Sequence, residues 1–149
     1  MTRVTSVGEL WQRIALGEHD FSRAYLEEAT LTFAALPATI LVEANLYRAK
    51  LEQADLRGAV LRQADLSYAQ LSKANLCGAD LEGATLWMAE LRWTALSGAN
   101  LSAATLMGAN LSMANLTGAY FDDTTLFPDG LTCSETSFAW TSSGMVKLD

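Results

Sequence analysis

Residues 74–93 read ANLCGADLEGATLWMAELRW, and in them a small residue followed two places later by leucine returns every five positions: Ala74 and Leu76, Ala79 and Leu81, Ala84 and Leu86, Ala89 and Leu91. Extended in both directions, from Phe21 to Leu126, the frame has 22 central positions, 20 Leu and 2 Phe, with no insertion or deletion. Two residues before each centre, from 24 to 124, stand 18 Ala and 3 Thr (Thr39, Thr94 and Thr124). An α-helix turns about 100° per residue, so residues five apart would point about 140° from each other and the leucines would scatter around the axis. In a flat strand alternate side chains share a face, and an odd period sends successive leucines to opposite sides. Each pentapeptide must therefore bend the chain. Bends of about a right angle close a coil of four pentapeptides, and the outward residues do show a 20-residue superperiod in Gly58, Gly78, Gly98 and Gly118. A recurring backbone conformation at that column favours a residue without Cβ. Stacked at ~4.8 Å, the 22 repeats make about 5.5 coils and a rod about 26 Å long, with leucines along its axis and alanines in the space left beside them.

Length and charge bound the rest. The 149 residues, half of them apolar, suffice for one domain with its own core. A net charge of −7 disfavours nucleic acid and anionic lipid, which call for clustered Lys and Arg, so the expected partner is a protein. No run of apolar residues is long enough to span a bilayer, and MTRVTSVGELW lacks the core of a secretory signal. The chain is read as soluble, unexported and cytoplasmic. Cys77 and Cys133 lie far apart without paired metal spacing, the pattern of two free thiols.

The recurring A-(D/N)-L-x-x pattern, as in Ala54-Asp55-Leu56, Ala64-Asp65-Leu66, Ala74-Asn75-Leu76 and Ala114-Asn115-Leu116, resembles the pentapeptide-repeat protein family over residues 19–128. The resemblance implies a right-handed, four-sided β-helix, an all-β solenoid with each centre and the residue two before it inside, and the other three outside. Its handedness comes from the family and not from the spacing. The string ELWQRIALGEHDF is similar to the lead-in of many cyanobacterial members. The family also implies an alternative role, mimicry of duplex DNA toward a type II topoisomerase such as gyrase. Charge argues against it: residues 19–128 hold 12 Asp and Glu against 7 Arg and Lys, a net −5, where a duplex of about 26 Å carries roughly 15 charges. An architectural role without a dedicated partner is the plainest alternative.

Solenoid ends expose unpaired strand edges, so the flanks are expected to be caps. Residues 1–18 form the N-terminal one. Ser6-Val7-Gly8-Glu9 has capping-box spacing, Leu10, Trp11, Ile14 and Ala15 make a helical stripe, and Gly17 is a stop, which together predict a helix over about 7–16. The repeats run over 19–128 and end at Asp129, between Pro128 and Gly130. In the C-terminal segment 129–149, Leu131, Phe138 and Trp140 are expected to cover the last coil, with Gly144 to Asp149 frayed. The rival reading of this tail, implied by the family, is a homodimer formed through the C-terminal end.

A filled core with flat walls offers no pocket for chemistry, and neither catalytic, cofactor-binding nor metal-ligating residues are assigned. His19, the single histidine, has no partner in sequence and is expected under the N-terminal cap. Cys77 is expected to be partly exposed, with no basic neighbour in its own repeat. The Asp and Asn residues before the centres, such as Asp55, Asp65 and Asn75, fit backbone and turn hydrogen bonding better than metal ladders. Sorting outward residues by the 20-residue superperiod separates the walls. The one centred on 26, 46, 66, 86, 106 and 126 carries Tyr25, Tyr47, Tyr68, Trp87, Met88, Met107 and Phe127, and the adjoining wall adds Phe33, Trp93 and Met113. The opposite wall presents Arg57, Cys77, Ser97, Thr117 and the glycines. The aromatic wall reads either as a protein-binding surface or as a ladder that stabilises the stack.

Overall fold

The computed structural model describes residues 2–129 and, for the backbone alone, 138–141 and 144–147. Seventeen parallel bridges each join a residue to the one 20 positions on, from Asp20↔Ile40 to Asn100↔Tyr120, so four consecutive repeats make one coil and each repeat stacks on its counterpart in the next. We number the walls by their centres in the first coil: the first wall starts at 21, the second at 26, the third at 31 and the fourth at 36.

Each repeat bends by the same hydrogen bond. The N–H two before a centre donates to the carbonyl of the preceding centre, as Ala74 does to Leu71 (2.9 Å) and Ala79 to Leu76 (3.0 Å). The second corner residue of that turn has positive φ at all twenty positions from Arg23 (62°) to Gly118 (69°), the requirement of a type II turn. Glycine fills six of these corners, and L-residues fill fourteen. The glycine column of the fourth wall is therefore one choice at a conformation every wall shares. Gly98 (φ +67°) has open space where a Cβ would stand, so Gly98→Ala should cost about 1 kcal/mol through backbone alone. Gly108→Ala would also displace the Met88 side chain that lies over it, and thermal melts should rank it below Gly98→Ala.

Between coils the centre and the second corner donate forward, as in Leu76 N–H to Ala95 (2.7 Å) and Gly78 N–H to Ser97 (2.9 Å). The leucine centres from 26 to 111 and the small residues beside them are buried. Where threonine replaces alanine its hydroxyl is satisfied: Thr39 donates to the Leu36 carbonyl and Thr94 to that of Leu71, each at 2.8 Å. This keeps buried polar atoms paired.

The N-terminal end is closed by α1 (Val7–Ala15). Ser6 Oγ accepts from the Glu9 N–H (3.1 Å), and the Glu9 carboxylate accepts from the Thr5 N–H (3.0 Å), one residue earlier than a strict capping box. At the other end Glu18 N–H reaches the Arg13 carbonyl and Gly17 N–H that of Ile14, a Schellman stop with Gly17 at φ +81°. Leu10 and Val4 seal the core, and the Val4 carbonyl accepts from Tyr25 N–H (2.7 Å). His19 is exposed and not under the cap, its carbonyl accepting from Ile40 N–H.

The frame changes near its C-terminal end. The last bridge among the described residues, Thr105↔Leu126, spans 21 residues. One residue is inserted between Tyr120 and Leu126, so Thr125 and Phe127 take the inward positions expected of Thr124 and Leu126. Asp122 makes this possible. Its Oδ1 accepts from Ala103 N–H (3.0 Å), Thr124 N–H (3.0 Å) and the Thr124 hydroxyl (2.7 Å), standing in for a backbone carbonyl. These bonds, that from the Thr124 hydroxyl foremost, hold its carboxyl down at about 2, below the ordinary 3.8. A depressed carboxyl contributes stability that is complete above its unfolded value and lost as pH falls through the folded one. Melting temperature should therefore fall between about pH 4 and 2, and Asp122→Asn should flatten that dependence.

Beyond it, β1 (Phe138–Thr141) pairs antiparallel with β2 (Gly144–Lys147). Gly144–Lys147, expected to fray, is thus a strand. The expected covering of the last coil by Leu131 and the side chains of Phe138 and Trp140, and the thiol of Cys133, lie outside the described residues.

Candidate functional site

The residue before each centre shapes the wall. Asn45, Asp65, Asn75, Asp80, Asn100, Asn110 and Asn115 each accept, through Oδ1, the N–H two residues on, at 2.9 to 3.2 Å. These Asx-type bonds hold the first corner of the turn and use the side chains that would otherwise suggest metal. Among the described residues no group of three or more His, Cys, Asp and Glu is placed to hold an ion, and no helix is long and apolar enough to cross a membrane.

The expected aromatic wall divides into two kinds of residue. On the second wall Tyr47 and Tyr68 meet edge to face at 5.7 Å, as do Tyr68 and Trp87 at 5.4 Å, zigzagging across three coils. The Arg48 guanidinium covers both tyrosine rings, at 5.2 and 5.7 Å. These are ladder contacts, and Tyr68, in the middle of them, should be the most sensitive: Tyr68→Ala is expected to cost about 1 to 2 kcal/mol, read by thermal melting. Met88 and Met107 are exposed alongside. Tyr25 sits at the near end with its hydroxyl on Glu27 and Arg3 over its ring.

The third wall is different. Phe33 is 69 % exposed and Met113 51 %, with Trp93 between them in the same column. Lys73 Nζ lies 5.5 Å and Arg92 Cζ 4.5 Å from the Trp93 ring, so two cations stand against it. Phe127, placed by sequence on the aromatic wall, is instead 2 % exposed. The residue inserted after Tyr120 turns it into the core, where its ring meets Phe121 at 5.1 Å. Tyr120, at 61 % exposure, is a surface aromatic outside the expected wall; its place before a centre of the first wall, among Asp80 and Asn100, carries no aromatic pattern in the sequence.

The fourth wall carries no large apolar side chain. Arg57 is paired there with Asp55 through two bonds, at 2.8 and 2.7 Å, and their pairing holds the Asp55 carboxyl below its ordinary range. Cys77 is half-buried, one coil along from Arg57, a basic neighbour supplied by stacking and not by its own repeat. A groove of about 440 Å³ runs along the edge between the second and third walls, lined by Glu28, Arg48, Lys50, Tyr68 and Gln70.

The sequence matches the family described as pentapeptide repeats, in eight copies, over residues 44–83 and 89–123. The chain belongs to the pentapeptide-repeat family. Among solved structures it is similar to the pentapeptide repeat protein Rfr23 of the cyanobacterium Cyanothece 51142, at 28 % identity and a TM-score of 0.67, over 82 % of this chain and 99 % of that one. It is also similar to alr5209, a pentapeptide repeat protein of Nostoc Pcc 7120, at 32 % identity and a TM-score of 0.40, over 90 % and 94 % of the two chains. A third is HetL of Nostoc sp. strain PCC 7120, a pentapeptide repeat protein involved in heterocyst differentiation regulation, at 25 % identity and a TM-score of 0.39, over 85 % and 99 %. No curated protein sequence matches the chain.

Proposed function

We propose that this pentapeptide-repeat protein is a non-catalytic, cytoplasmic protein-binding module, a right-handed four-sided β-helix whose second and third walls form its binding face. The reading rests on the segregation of exposed apolar side chains: Phe33, Trp87, Met88, Trp93, Met107 and Met113 stand on two adjoining walls, while the fourth presents small and polar residues. Exposed aromatic and methionine side chains on a rigid surface are the composition of a protein interface. Among the described residues Phe33 and Trp93 meet no other ring, in contrast to the tyrosine ladder, and Met113 is exposed in the same column.

Mimicry of DNA is the weaker alternative. Glu43 pairs with Arg23, and Asp80 and Glu82 both pair with Arg62, so several carboxylates of the first wall face cations in adjacent coils. Micromolar protein is expected to leave gyrase supercoiling unaffected, and clear inhibition would reverse this ranking. The binding face itself is tested by capture from host lysate with Phe33, Trp93 and Met113 all changed to Ser. Partners retained by the parent should be lost while the melting temperature moves little, since truncating central interface aromatics costs about 2 kcal/mol or more each. Arg57→Ala, Ser97→Ala and Thr117→Ala together should leave capture intact; equal loss from both triples would remove the preferred face.

A further inference from the structure

The seven cations of residues 21–128 are not equivalent. Arg23, Arg48, Arg57 and Arg62 each form an ion pair, with Glu43, Glu28, Asp55, and Asp80 together with Glu82. Among the described residues Lys50, Lys73 and Arg92 form none, although Lys73 and Arg92 lie against the Trp93 ring. All three stand on the third wall, in successive coils: Lys50 before the centre 51, Lys73 after 71 and Arg92 after 91. Two carboxylates share that wall, and both are occupied. Glu52 accepts from the Thr32 hydroxyl (3.1 Å), and Glu90 accepts from Arg92 N–H (3.2 Å) and the Asn110 amide (3.1 Å). With three cations against two carboxylates the third wall is net positive on a protein of net charge −7.

We propose that the third wall binds an acidic polypeptide segment, laid along the rod axis so that its carboxylates meet Lys50, Lys73 and Arg92 while apolar side chains rest on Trp93 and its column. The proposal rests on the binding face argued above and adds the chemistry of the partner. Coil spacing of ~4.8 Å puts Lys50 and Arg92 about 10 Å apart along the axis, which two or three carboxylates of an extended chain span at ~6.8 Å per side-chain pair. The groove beside Lys50 and Tyr68 continues the track onto the second wall. A polypeptide fits better than nucleic acid, because Glu52 and Glu90 lie among the cations and would repel a continuous phosphate backbone, whereas separate carboxylates can be placed between them.

The test is fluorescence anisotropy with the full-length protein and three labelled probes: a 12-residue peptide of Glu, Leu, Gly and Ser, the same peptide with Gln for Glu, and a 12-nucleotide oligothymidine. The Glu peptide should bind, weaken about tenfold between 50 and 300 mM salt, and lose measurable binding in Lys50→Glu/Lys73→Glu/Arg92→Glu. Because these side chains point outward, the variant should keep the fold and lose only the small contribution of the Lys73 and Arg92 contacts on Trp93; Lys73→Gln alone, with a several-fold loss, provides the reading if the triple variant is destabilised. Equal binding of the Glu and Gln peptides overturns the acidic partner, and its loss on mutating Phe33, Trp93 and Met113 would show that the binding face itself stands. Oligothymidine bound as tightly as the Glu peptide overturns the polypeptide assignment.

Discussion

Leu76→Ala is expected to lower stability by about 2 to 5 kcal/mol, as large-to-small changes in buried cores do. The upper part of that range is the one to expect. Leu76 is wholly buried, and its backbone is held on both sides: its N–H donates to Ala95 (2.7 Å) and its carbonyl accepts from Ala79 (3.0 Å). The leucines one coil away, Leu56 and Leu96, are fixed in the same way, so little can move into the cavity. Ala74→Leu should be damaging for the opposite reason, since Ala74 is buried beside the column and an added isobutyl group has no space to enter. Chemical denaturation measures both. Either variant melting within a degree or two of the parent would contradict the inward assignment of centre and neighbour.

Phe127→Ala should cost about 3 to 5 kcal/mol, the range for a fully buried aromatic ring, whereas Leu126→Ala should cost much less. The uninterrupted five-residue frame makes the opposite forecast, with Leu126 inward and Phe127 on the surface. What separates the two is the single residue inserted after Tyr120, accommodated by Asp122 and by the Thr125 hydroxyl, which donates to the Leu101 carbonyl at 2.9 Å. Comparable losses from both substitutions would place the insertion elsewhere.

That correction marks where sequence periodicity stops being decisive. A phase shift in a periodic pattern is visible only if the residues on both sides disagree with the old frame, and here Thr124 and Leu126 agree with it as well as Thr125 and Phe127 agree with the new one. A faint signal was present: Phe127-Pro128 repeats Leu36-Pro37, where proline follows a centre, and its fixed φ suits the first corner of the turn. The coil of four repeats was legible because leucine and alanine at fixed spacing admit no helix and no flat strand. So were the ends of α1, since Ser6 and Gly17 do there what their side chains, or lack of one, make easy. Positive φ at all twenty corners was not, because Arg, Gln, Phe and Trp at those positions carry no local mark of it. The division between ladder tyrosines and the open third wall required ring geometry. The net charge of the third wall needed only charge to be sorted by wall, as the aromatics were.

The most direct test of the preferred face blocks one wall at a time without removing any side chain it uses. In a Cys77→Ser/Cys133→Ser background, Ser112→Cys places a thiol on the third wall and Thr117→Cys places one on the fourth, at positions exposed in the structure. Each is coupled to a bulky polyethylene-glycol maleimide, and capture of the host partner is measured before and after coupling. Coupling at position 112 should abolish capture and coupling at 117 should leave it intact. Capture that survives at 112, or that is lost only at 117, would contradict the assignment of function to the second and third walls.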